Sequence, residues 1–97
     1  MTPADAAYFA ETMSDLQRET IVICSRQGTL GYTRIAEKLG VSYADAKNVG
    51  GFLQAANLAT IELLKPGFNG SGIFLNERGE QVKLAALKAK SSNAPNN

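Results

Sequence analysis

Residues 32–58 read YTRIAEKLGVSYADAKNVGGFLQAANL: a short helical pattern, a turn, and a longer helical pattern. Ile35, Ala36 and Leu39 stand at i, i+1 and i+4, the apolar stripe of a helix. Ala36 is small enough for a second helix to cross close to it. Gly40 follows the last stripe residue, where a left-handed backbone reverses the chain without a Cβ clash. Val41 then plugs the gap between the helices. Ser42 is an N-cap residue, and Asp45 three positions on makes a short-armed capping box. Ala46, Val49 and Leu53 recur at i, i+3 and i+7 as the inner stripe of the second helix. Asn57 ends it, because asparagine tolerates the left-handed conformation better than most residues.

Working outward, residues 59–64 (ATIELL) alternate imperfectly and carry β-branched side chains, the pattern of a strand. Residues 66–72 (PGFNGSG) form a dense turn cluster, and Asn69-Gly70 suits a type I′ hairpin turn. Ile73, Phe74 and Leu75 are the returning strand. Asn76 caps a last helix through Val82, Leu84 and Leu87; Glu77 and Glu80 near its start and Lys88 and Lys90 near its end suit the helix dipole. A helix-turn-helix followed by a β-hairpin is the plan of a winged helix, a common way to set one helix in the major groove of DNA. The predicted fold class is therefore α+β: a mainly helical winged helix-turn-helix with a two-stranded wing and terminal helices.

The same residues resemble a known family. Ala36, Gly40 and the apolar Ile35, Leu39, Val41 and Val49 match the helix-turn-helix pattern of bacterial regulators. Residues 41–59, ending LQAANLA, look like the corresponding part of MarR-type winged-helix regulators, which often carry an L-x-x-A-G-L ending; here Asn57 takes the glycine's place. Residues 74–87, FLNERGEQVKLAAL, resemble the MarR-type wing strand followed by an L-T-x-x-G helix start. The resemblance covers roughly residues 16–90. It implies a transcriptional regulator that dimerises through its terminal helices.

Composition narrows the chemistry. The 97 residues suffice for one domain with a modest core, expected over 1–90. No histidine and a single cysteine exclude an internal disulfide and the usual zinc ligand sets, and they leave no obvious general base or activated nucleophile. The expectation is no enzyme, no cofactor and no metal. No apolar run spans a bilayer and no signal-peptide pattern appears, so a cytosolic protein without a membrane partner is predicted. The net charge of +1 hides an asymmetry. Residues 1–25 set Arg18 against Asp5, Glu11, Asp15 and Glu19, a net −3, whereas residues 26–65 and 66–97 each carry +2. This suits nucleic acid, though less than a strongly basic surface would.

At the N-terminus, Thr2 caps a helix expected over 1–15, with Pro3 at its first position. Ser14-Asp15 restarts or continues it into 16–26. Ile21, Val22, Ile23 and Cys24 point around that helix, so one face meets the helix-turn-helix and another meets the N-terminal helix, the last helix or a second copy of the chain. A homodimer is the partner state the resemblance implies; a monomer with folded-back termini is the alternative. Cys24, on an apolar stripe without an activating base nearby, reads as a buried structural thiol rather than a redox switch. Tyr8 and Phe9 read as interface packing rather than an effector pocket. The polar residues 91–97 are expected to be disordered.

The predicted DNA-binding residues are Arg34, Lys38, Ser42, Tyr43, Lys47, Asn48, Lys65 and Asn69. With Ala46, Val49 and Leu53 inward, Ala44, Asn48, Gly51 and Ala55 face outward, with Lys47 beside them. Asn48 suits a bidentate contact with adenine, and Lys47 a guanine or phosphate. Ser42 and Tyr43 stand at the helix start, where phosphate contacts are common. Arg34 and Lys38, at i and i+4, lie over phosphates, and Lys65 and Asn69 reach the backbone from the hairpin. The partner this implies is double-stranded DNA. The small residues Ala44, Gly51 and Ala55 equally fit a protein partner, giving a second reading as an interaction module. A third is a DNA-binding accessory component of a mobile element. Gly50-Gly51 inside a helix signals close packing, a bend, or a helix stabilised on binding.

Overall fold

Two capping boxes punctuate the N-terminal quarter of the computed structural model, which describes residues 1–26, 30–64 and 70–92. Helix α1 (Pro3–Thr12) starts at Thr2, whose hydroxyl accepts the Asp5 N–H while the Asp5 carboxylate accepts the Thr2 N–H, both at 3.1 Å. These bonds hold the Asp5 carboxyl below its usual range. Ser14 and Gln17 repeat the device at 3.1 and 2.9 Å to start α2 (Asp15–Ile23). The helix expected over 1–15 therefore stops at Thr12: Met13 is extended and buried, and Ser14 opens a new helix. Arg18 closes the joint, donating to the carbonyls of Ala10 at 2.9 Å and Met13 at 2.7 Å and pairing with Asp15. Its cation thus sits at the negative end of α1.

Helix α2 ends at Ile23, short of Arg26, because the sheet captures the chain. Cys24 is extended, Ser25 bridges to Phe74, and the Ser25 carbonyl accepts the Leu75 N–H at 3.0 Å. Helix α3 (Tyr32–Leu39) closes on Gly40, whose φ of +67° is the left-handed turn anticipated there. Helix α4 (Tyr43–Ala55) starts at Ser42, whose hydroxyl accepts the Asp45 N–H at 3.0 Å; among the described residues only this half of the anticipated capping box forms. Asn57 takes the left-handed conformation at φ +59°, just beyond the helix end.

Strands β1 (Ala59–Leu63) and β2 (Ser71–Leu75) pair antiparallel, from Ala59 opposite Leu75 to Leu63 opposite Ser71. The anticipated Asn69-Gly70 turn lies largely outside the described residues. The second edge of β2 receives the chain entering α3: Gly31 bridges Gly72, and the Leu30 carbonyl accepts the Ile73 N–H at 3.4 Å. Helix α5 (Glu77–Ser92) starts at Asn76, whose side-chain oxygen accepts the Gly79 N–H at 2.9 Å. It runs two residues past the expected end at 90, so the tail expected over 91–97 begins as helix, and residues 93–97 lie outside the described ones. The α+β winged helix-turn-helix expected from the sequence is the fold observed.

One core joins all layers. Ile21 of α2, Ile35 of α3, Leu53 of α4, Leu58, Ile73 of β2 and Val82 of α5 are fully buried. Each such side chain contributes about 1.5–3 kcal/mol of burial. Of the three apolar residues that marked α5 in the sequence, only Val82 faces this core; Leu84 and Leu87 remain 64% and 38% exposed. Helix α1 packs along α5 rather than on the helix-turn-helix.

Gly79 shows how tightly α5 docks. A Cβ there would lie 2.0 Å from the Leu58 carbonyl oxygen and 3.2 Å from the Leu75 Cβ. Gly51, by contrast, has nothing within 4 Å of its Cβ position. We therefore expect Gly79→Ala to destabilise the fold by about 1–3 kcal/mol. Gly51→Ala should stabilise it by roughly 0.5–1 kcal/mol. Urea denaturation followed by circular dichroism reads both signs.

Candidate nucleic-acid interface

Helix α4 is two-faced because its inner stripe is spent on the core. Ala46, Val49, Gly50 and Leu53 are buried. Ser42, Tyr43, Ala44, Lys47, Asn48, Gly51 and Ala55 are exposed, as their spacing predicts. Arg34 and Lys38 are exposed one helix earlier, with Glu37 between them. Among the described residues no salt bridge or side-chain hydrogen bond engages Arg34, Lys38, Lys47 or Asn48, so their polar groups are available to a ligand. Lys65 and Asn69, the two wing positions predicted to reach DNA, lie outside the described residues.

The start of α4 gathers several of these groups. Ser42 Oγ is occupied as an acceptor by its cap, which leaves its hydroxyl hydrogen to donate. The positive end of the helix dipole lies beside it, which favours phosphate, with the exposed Asp45 carboxylate in the same turn opposing it. Tyr43, next in line, is 51% exposed and meets Tyr32 edge-on, with ring centroids 5.7 Å apart and an interplanar angle of 85°. Lys47 and Asn48 follow one turn on.

Two further residues bear on this surface, one from beneath it and one upon it. Tyr32 is buried beneath Tyr43, and burial pushes its phenol pKa up. It fits because Gly50 has no side chain: a Cβ there would stand 2.8 Å from the Tyr32 hydroxyl and 2.9 Å from Cε1. This assigns close packing to Gly50, one of the three meanings open for the glycine pair. Gln54 is exposed on the flank of Lys47, two turns along α4. Its i+7 spacing from Lys47 was the available signal.

Other anticipated features fall elsewhere. Cys24 is wholly buried, and desolvation raises its thiol from 9.0 to about 12, against a weaker opposing pull from Lys83. That is an inert structural thiol, as expected. Phe9 is half-buried against the core, while Tyr8 is 66% exposed. The described residues contain no His, Cys, Asp or Glu cluster able to hold a metal ion. None of their helices is long and apolar enough to cross a membrane.

No protein-family model matches the chain, and no curated protein matches it by sequence. Solved structures do match its fold. RV1404 from Mycobacterium tuberculosis superposes with a TM-score of 0.71 at 22% identity, over 92% of this chain and 63% of that one. The transcriptional regulator SlyA gives 0.71 at 17% identity, over 88% and 61%. A mutant of the S. aureus regulator MepR bound to an oligodeoxyribonucleotide gives 0.71 at 17%, over 92% and 67%. The chain thus spans less than two thirds of the length of the first two. At these identities the likeness is one of fold: a MarR-like winged helix.

The buried thiol sets a pH dependence with a definite sign. A raised folded-state pKa means that the neutral thiol's contribution is complete below the unfolded-state value and is lost as pH rises toward the folded one. We expect the stability difference between the wild type and Cys24→Ala to be constant at neutral pH and to shrink from about pH 9 to 12. Urea midpoints of both proteins across that range give the difference directly.

Proposed function

We propose that this domain binds double-stranded DNA, as a small cytoplasmic transcriptional regulator. The observation that carries this reading is the exposed polar group at the start of α4, Ser42, Tyr43, Lys47 and Asn48, on a helix whose opposite face is locked into a helix-turn-helix core. In this reading Arg34 and Lys38 hold phosphates from α3. Ser42 and the α4 N-terminus hold another phosphate. Tyr43, Lys47 and Asn48 set the register and read base edges, and Gln54 extends that reading toward the helix end. Lys65 and Asn69 add backbone contacts from the wing. The MepR mutant of similar fold was solved with an oligodeoxyribonucleotide, which supports DNA as the ligand class. No catalytic step, cofactor or metal enters the mechanism.

The domain acts as a homodimer in this proposal. Tyr8 on α1 and Leu84 on α5 are 66% and 64% exposed, and packing against a second copy would remove both from water. A two-fold dimer would address two half-sites about one helical turn apart. The second reading, a protein-interaction module, draws on one observation: Ala44, Gly51 and Ala55 leave an exposed small-residue stripe on α4. A DNA-binding accessory role in a mobile element would use the same face as the regulator.

Titration of labelled protein with a short duplex at low and moderate salt separates the readings. DNA binding gives shifts on Arg34, Lys38, Tyr43, Lys47 and Asn48 that fade with salt. Each of Arg34→Ala and Lys38→Ala should then flatten the log–log salt slope by about 0.9. On a selected site, Asn48→Ala should cost about 1–3 kcal/mol and relax preference at one base pair. The absence of shifts at low salt would overturn the DNA reading in favour of a protein partner. For the dimer, sedimentation of the wild type should give twice the monomer mass, and Leu84→Glu should halve it.

A further inference from the structure

Spacing alone leaves Tyr43 an independent side chain at the start of α4, but the fold gives it a support. Its neighbour Tyr32 is the first residue of α3 and is 5% exposed. The Tyr32 ring is held on one side by the bare backbone of Gly50, where a Cβ would lie 2.8 Å from the hydroxyl, 2.9 Å from Cε1 and 3.2 Å from Cζ. Tyr43 meets that ring edge-on at 5.7 Å and 85°. This is a favoured aromatic geometry, within the range of separations at which such pairs attract. Gly50, Tyr32 and Tyr43 are thus stacked in series, from the interior of α4 through α3 to the exposed start of α4.

We infer that Tyr32 is a positioning residue for DNA binding: through its edge contact it holds the Tyr43 ring in its binding orientation before DNA arrives, with Gly50 as the seat that keeps Tyr32 in place. The inference rests on the DNA-binding reading above and deepens it. Three observations argue for it. Tyr43 is half exposed, and a free side chain there would have to be ordered on binding, at a cost of roughly three- to tenfold in affinity. Gly50 sits in the interior of α4, where glycine weakens a helix, and its backbone needs no special conformation, so the room it leaves for Tyr32 is what accounts for it. Gly51 beside it has no contact of this kind, so the seat is specific to one of the two glycines. The device also couples the two helices of the motif: α3 contributes to recognition by α4 without touching DNA at Tyr32.

The test has a DNA-free arm and a DNA arm. In the free protein, NMR couplings should show one dominant Tyr43 χ1 rotamer in the wild type and in Tyr32→Phe, which keeps the ring. Tyr32→Leu should show averaging. Should Tyr32→Leu fail to fold, Gly50→Ala serves instead, since the added methyl displaces the Tyr32 ring while favouring the helix. Fluorescence anisotropy with a short labelled duplex at low salt then reads affinity. We expect Tyr32→Phe to bind as the wild type does and Tyr32→Leu or Gly50→Ala to bind about three- to tenfold more weakly. In a Tyr43→Ala background the same substitutions should cause no further loss. An equal loss in that background would overturn the inference, because Tyr32 would then act on the fold at large. An averaged Tyr43 rotamer in the wild type would overturn it as well, with the DNA reading intact. An ordered Tyr43 in a wild type that binds no duplex would instead sink the DNA reading, and this inference with it.

Discussion

The close approach of α5 to the end of α4 is the constraint on which the rest of the fold depends. Gly79 lies so near the Leu58 carbonyl that no side chain fits between them. That contact brings the first turns of α5 against three chain segments at once. The Asn57 carbonyl accepts from Asn76 Nδ2 at 2.9 Å and Arg78 Nε at 3.2 Å, and the Leu58 carbonyl accepts the Asn76 N–H at 3.0 Å. Glu80 accepts the Arg26 N–H at 3.1 Å, and Lys83 donates to the Cys24 carbonyl at 2.6 Å. Most of these bonds are near solvent and individually contribute little. Their collective effect is register: the end of α2, the end of α4 and the hairpin are all indexed to one helix. The free energy comes from the apolar side chains that this docking buries, Val82 and Leu58 foremost.

That indexing decides what α4 presents outward. The helix is held at its start by the Gly40 turn and the Ser42 cap, in its middle by Tyr32 against Gly50, and at its end by Asn57 and Leu58. A helix fixed at three points has one free face, and here that face is unevenly equipped. Most of its polar groups stand in the first two turns, while Gly51 and Ala55 leave Gln54 as the exposed polar side chain of the later turns. In the proposed reading most of the recognition chemistry thus lies near the helix N-terminus, where the dipole also favours phosphate. The net charge of +1 supplies no broad positive field, so the proposed binding would rest on a few well-held contacts.

Exposed apolar side chains stand on the wing at Leu63 and at the start of α4 at Tyr43, as well as on the terminal helices. Helix α1 packs on α5, yet Tyr8 and Leu84 stay open to water. Residues 1–25, which supply α1 and α2, carry a net −3.

Much of this was legible in local pattern. The Gly40 turn, the inner stripe of Ala46, Val49 and Leu53, the Asn57 end, the two-strand wing and the outward set on α4 all follow from short-range rules of sterics and periodicity. Those rules act within a few residues, so a sequence carries them openly. What tertiary structure alone decided came from neighbours distant in sequence. Helix α2 lost its last turn to a strand some fifty residues away, as Ser25 paired with Phe74. Leu84 and Leu87 have the chemistry of core residues, yet the face of α5 that docks is chosen by Gly79, and they turn outward. The role of Gly50 became readable only once Tyr32 was seen to fill the space it leaves. Local order is written in spacing, whereas a contact across the fold needs two surfaces brought together, and only packing chooses which two.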